Sequence, residues 1–240
     1  VASLTFGAAA LVLLVFLRPD PLLLARRVGA TSGAADTPRP HTTAAAAWAA
    51  LKVVPAARRA VLAIAVSHTA MVSIMSMTPV HLHQGHAELV IIGMVVSIHV
   101  AGMYVLSPVI GWLADRVGKP PVLVAGMLVL LAAAVIAGTS GHNVPLITTG
   151  LFLLGLGWSC GLVAGSSMLS ESLALEMRPA AQGFSDLVMN VCGASGAVLA
   201  GAVMGATSYQ VLSILVGCLV ILTALNLLRP PQRSAPSPSV

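Results

Sequence analysis

Seven apolar runs divide this chain, at about residues 2–17, 60–80, 90–112, 121–139, 145–169, 183–206 and 210–228, and they restrict what it can fold into. A helix rises 1.5 Å per residue, so crossing about 30 Å of hydrocarbon takes roughly 20 apolar residues. The later runs meet or approach that length; the first is short. Charged residues are only 8% of the chain and hydrophobic ones 58%, whereas a soluble domain carries about 25% charged residues. There is too little polar surface to cover a water-facing globule. The expectation is an all-α polytopic membrane protein of about seven transmembrane helices surrounded by membrane lipid, since a helix satisfies its own backbone groups there.

The gaps between the runs carry the orientation. All twelve Lys and Arg residues fall in alternate gaps: Arg18, Arg26, Arg27, Arg39, Lys52, Arg58 and Arg59 after the first run, Arg116 and Lys119 after the third, Arg178 after the fifth, Arg229 and Arg233 after the last. The intervening gaps, "HLHQGHAEL", "SGHNV" and "TSY", hold none. Positive residues mark the cytoplasmic side, so residues 18–59 and the C-terminus are expected inside. The formal charge of +5 is therefore a sidedness signal and not a nucleic-acid surface. Residues 18–59 read as a flexible cytoplasmic loop with a short interfacial helix at 46–54, and 229–240 as a disordered cytoplasmic tail. Cys160, Cys192 and Cys218 lie in apolar runs without CxxC spacing and read as small hydrophobes.

The stretch "GWLADRVGKP" interrupts two of these runs with Gly111, Asp115, Arg116, Gly118 and Lys119. It resembles the cytoplasmic signature of the major facilitator superfamily, with Pro120 in place of a final basic residue. A second stretch, "ESLALEMRPAAQGFSDLVMN", resembles the loop before that family's eleventh helix, through Arg178, Gln182, Gly183 and Asp186. The order of runs around the signature resembles helix six (1–17), the central loop (18–59) and a C-terminal six-helix bundle (60–228). The resemblance implies a first helix cut short at Val1 and a missing N-terminal half or partner subunit. It further implies a bacterial-type plasma-membrane permease that moves a small organic substrate by alternating access, with proton-coupled efflux as the specific expectation and uptake as its neighbour. In such a protein Asp115 and Arg116 would belong to an interdomain latch, and Arg178 and Asp186 to a gate. The alternative is a non-transporting truncated protein or half-subunit.

Ionisable residues inside spans are costly and mark candidate sites. His68 and His99 fall near mid-depth of their runs, and histidine exchanges protons near neutral pH. Asn190 lies one helical turn beyond Asp186 on the same face and is a third cavity candidate. Met71, Met75 and Met77 lead towards His81, His83 and His86, a pattern that soft metals could use; the preferred reading assigns no metal and no cofactor. Gly157, Gly161 and Gly165, and again Gly201 and Gly205, have the spacing that lets membrane helices approach closely. No nucleotide-binding loop, nucleophile triad or zinc-protease motif occurs, so an enzyme is not expected.

Overall fold

The computed structural model describes residues 11–12 and 43–228. Leu11 and Val12 are helical and belong to a separate N-terminal unit, residues 1–41. Beyond those two residues, the expected span at 2–17, the loop from 18 to 42 and the tail 229–240 lie outside the described residues.

In the second unit, α1 (Ala44–Val53) opens on Thr43, whose hydroxyl accepts from the Ala46 amide at 3.3 Å. It stops before Pro55, which disfavours helical geometry in the residue ahead of it. That proline then starts α2 (Pro55–Gln84) in the first turn, where its missing N–H costs nothing. At 30 residues α2 is about 45 Å long, so it overshoots the hydrocarbon and extends the expected 60–80 run at both ends.

The third run is broken. It forms α3 (Leu89–Tyr104) and α4 (Ser107–Val117), with Val105 and Leu106 between them. Pro108 sits in the first turn of α4 and cannot donate to the carbonyl four residues back, that of Tyr104. The Ser107 hydroxyl donates to that carbonyl instead, at 2.7 Å. Gly118 alone joins α4 to α5 (Lys119–Thr139). Its φ of +104° is one that residues with a Cβ rarely adopt, so the tight reversal requires glycine here.

Asn143 caps α6 (Val144–Glu171) through the Leu146 amide at 3.1 Å. A short 3₁₀ turn (Leu175–Met177) leads into α7 (Arg178–Ala206), which holds Asp186 and Asn190 without interruption, and α8 (Tyr209–Leu228) follows. Among the described residues six spans are long and apolar enough to cross a membrane, α3 and α4 counting as one. The short connections make successive spans antiparallel. One end of the bundle therefore carries Gly118 and the starts of α2 and α7, and the other carries Gly141.

The middle of the bundle is α2 and α6. α6 packs against α2, α3 and α5, and α2 against α6, α7 and α8. Without a hydrophobic driving force between helices in lipid, such contacts depend on close approach at small residues. Gly161 and Gly165 face Ser67 and Ile64 of α2, while Gly157 turns to Gly126 and Leu130 of α5. Gly102 and Gly155 bring the backbones of α3 and α6 together. Gly201 and Gly205 behave differently: a Cβ on Gly201 would only touch Met77 at 4.0 Å, and one on Gly205 would meet nothing. Their spacing alone brings no helix backbone close. At the Gly118 end, α1 packs on α2 and α7, with Leu51 in a cluster with Ala57, Leu169, Leu173 and Ala181.

Candidate functional site

Three helices bring polar aromatic groups together halfway along the bundle. His68 lies about 20 Å from the start of α2, Trp158 about 21 Å from the start of α6, and Tyr104 about 22 Å from the start of α3. The Trp158 indole Nε1–H donates to His68 Nδ1 at 3.1 Å. Tyr104, at the break between α3 and α4, meets Trp158 edge-on, with ring centroids 5.9 Å apart and planes at 78°. From α7, Gly193 closes on the histidine, where a Cβ would come within 2.5 Å of His68 Cδ2. Trp158 is buried, His68 half-buried and Tyr104 58% exposed, so the cluster opens from the inside outward.

This geometry sets a protonation state. An indole N–H can only donate, so this bond requires an unprotonated Nδ1 on His68 and, in the neutral ring, a proton on Nε2. A second proton could only go on Nδ1, and it would break the bond to Trp158.

His99 is held differently. It is wholly buried between α3 and α6, and its Nδ1–H donates to the Leu151 carbonyl at 2.7 Å. Its Nε2 has no hydrogen-bond partner among the described residues. Asn190 is exposed on α7 and donates to the Asp186 carbonyl of its own helix at 2.7 Å.

At the Gly118 end, Lys119 is the joint. Its Nζ lies 2.8 Å from Glu171 Oε1 at the end of α6 and 3.5 Å from Asp115 Oδ1, one turn back in α4. Gly111 faces Val163 of α6, and Arg116 lies over the Trp112 ring at 5.2 Å. Arg178 Nε–H donates to the Leu173 carbonyl at 3.2 Å, so the basic residue caps the turn ahead of α7. Gln182 ties α7 to α6 through the Ser166 carbonyl at 3.0 Å and the Ser170 hydroxyl at 2.9 Å. Asp186 is exposed one turn further on.

A family model described as the Major Facilitator Superfamily matches residues 65–240. The chain belongs to that superfamily. It is 35% identical over 92% of its length to the uncharacterized MFS-type transporter YdeG of Bacillus subtilis, covering 51% of that protein. It is 34% identical over 87% of its length to the uncharacterized MFS-type transporter YddS of the same organism, covering 48% of it. The riboflavin transporter RfnT of Brucella anthropi is 29% identical over 54% of this chain and 32% of its own length. The chain thus spans about half the length of the first two relatives or less. Major Facilitator Superfamily members are membrane transporters and not enzymes, and the six apolar spans among the described residues are in keeping with that.

Sequence reasoning selected His68, and Gln182 as part of a motif, but not Trp158, Tyr104 or Glu171, which complete the contacts of this Major Facilitator chain. Trp158 had one available signal. Tryptophan and tyrosine collect at membrane interfaces, and with only three Trp and two Tyr in the chain, one at mid-span is out of place. Of the methionine–histidine stretch, Met71, Met75 and Met77 pack in or against the core, while His83 and His86 are exposed. His81 stacks between Tyr209 (4.3 Å) and His142 (4.6 Å), and its Nε2–H donates to the Gly141 carbonyl at 2.7 Å. Among the described residues no three His, Cys, Asp or Glu side chains are grouped to hold a metal ion.

Proposed function

We propose that this chain is the C-terminal bundle of a proton-coupled transporter that moves a small organic solute by alternating access, with efflux as the direction. The Gly118 end faces the cytoplasm of a bacterial cell, as does the C-terminus, in keeping with the placement of every basic residue. A second six-helix bundle completes the pathway against α3 and α7, the two spans with the least buried surface. Transporters of this build rock two bundles around a site at the bilayer midplane.

The Trp158–His68 bond carries the reading. It lies at the midplane, beside a half-exposed tyrosine and the break in the third span, and it exists only while His68 is neutral. Proton entry breaks it and frees α6 to shift on α2; proton loss restores it. Tyr104 offers an exposed aromatic ring to a flat organic solute, with Trp158 buried behind it, and the likeness to a riboflavin transporter supports that chemical class. His99 serves as an anchor between α3 and α6, and Asp115, Arg116 and Asp186 meet the second bundle at the cytoplasmic side.

The test needs no substrate. With Trp48 and Trp112 replaced by Phe, the emission of Trp158 should change reversibly between pH 5 and 8, the range in which histidine exchanges its proton. His68→Gln should remove the change. A flat profile in the His68 protein would overturn the proton-coupling reading.

A further inference from the structure

Between α1, α2 and α7 runs an open groove of about 600 Å³, lined at its far end by Leu199 of α7 and Leu219 of α8. From Phe184 to Leu199 it follows α7 for about 22 Å. That is longer than half of a roughly 30 Å hydrocarbon core, so one groove runs from an interface past the midplane. Its lining is almost wholly apolar. The charged lining residues are both basic, Lys52 and Arg58, and both stand at the Gly118 end. Trp48 lies beside them, half exposed, with the Lys52 ammonium 5.2 Å from its ring centroid and Phe184 5.8 Å away.

We propose that this groove binds an anionic phospholipid, with one acyl chain along α7 and its phosphate met by Lys52 and Arg58. The shape alone would suit any apolar occupant, but the charge selects among them. Two cations and no carboxylate line the end of the groove that lies at the membrane surface, and basic pockets between spans on the cytoplasmic side take up anionic headgroups. A choline headgroup would set its own positive charge beside them. The floor is built rather than fortuitous, because Leu51 anchors α1 onto Leu169, Leu173 and Ala181 and so holds Lys52 and Trp48 over the ends of α6 and α7. The leaflet assignment rests on the orientation proposed above; the binding chemistry does not. Such a lipid would bridge α1 to α7, the span with the smallest buried share.

The experiment is native mass spectrometry of the full chain in detergent, with phosphatidylglycerol and phosphatidylcholine of identical acyl chains supplied in equal amounts. Each cation near a membrane surface favours an anionic lipid by about fivefold, so retained phosphatidylglycerol should exceed phosphatidylcholine by roughly tenfold or more. Lys52→Ala with Arg58→Ala should bring the two lipids to near equality. The exchange Lys52→Arg with Arg58→Lys should keep the preference, which separates loss of charge from loss of fold. Leu199→Trp, which fills the groove, should reduce retention of both lipids. Equal retention by the unaltered chain, or a preference that survives removal of both cations, would overturn the proposal. So would retention of neither lipid. Because detergent has no sidedness, none of these results depends on the orientation in the membrane.

Discussion

At the scale of single residues, the two mid-membrane histidines separate by what their partners can do. Trp158 can only donate, so its bond reports the protonation of His68; Leu151 offers a carbonyl that can only accept, so its bond fixes His99 as a donor. A double-mutant cycle over Trp158→Phe and His68→Leu, read by thermal unfolding in detergent, should show a coupling of about 1 kcal/mol, the net value of one such bond. For His99 the expectation is a contrast. His99→Ala should destabilise by about 2–4 kcal/mol, because it leaves a void between α3 and α6. His99→Leu should cost clearly less than His99→Ala in the same melting experiment, since it refills the space and removes an unpartnered nitrogen. Both histidines were legible in the sequence as ionisable residues inside apolar runs, and nothing local told them apart. Trp158 is 90 positions from His68 and Leu151 is 52 from His99, and only the packing of α6 against α2 and α3 brings either contact about.

At the scale of elements, close approach matters where a glycine has a neighbour and not where the spacing merely looks right. Gly193→Ala should push His68 off Trp158, since the added Cβ would sit 2.5 Å from the imidazole. The pH response of Trp158 emission should then weaken as it does in His68→Gln. Gly205→Ala, with nothing within 4 Å, should leave that response intact and add stability, since alanine favours a helix over glycine by about 1 kcal/mol. Helix number and rough extent were readable from run lengths, because crossing hydrocarbon imposes a length. The ends were less so. α2 and α7 both begin on or beside a proline ahead of the apolar run, and hydropathy does not register the turn that such a proline nucleates. The signature's glycine, Gly118, could be foreseen as a tight reversal, but the partner of its lysine could not. Glu171 reaches Lys119 from the far end of α6.

At the scale of the whole molecule, sidedness is the property that the sequence states most loudly and the one most directly open to test. In cells, with Cys160, Cys192 and Cys218 replaced by serine, a cysteine placed at His142 should react with a membrane-impermeant thiol reagent added outside. One placed at Val117 should react only after the membrane is opened. The reverse pattern would invert the proposed orientation. Both positions are exposed at opposite ends of the bundle, so access and not burial decides the result. Between those ends the third span is not one rod but two. α3 is clamped to α6 at Gly102 and Gly155, while α4 begins afresh after Val105 and Leu106. The eleven residues of α4 make an arm about 16 Å long, so a turn of about 10° at its root would carry its tip by about 3 Å. Asp115 and Arg116 ride near that tip, with Lys119 just beyond it at the start of α5, and Tyr104 sits at the fulcrum. A movement too small to disturb the clamped helix would, at the far end of the lever, be enough to make or part an ion pair.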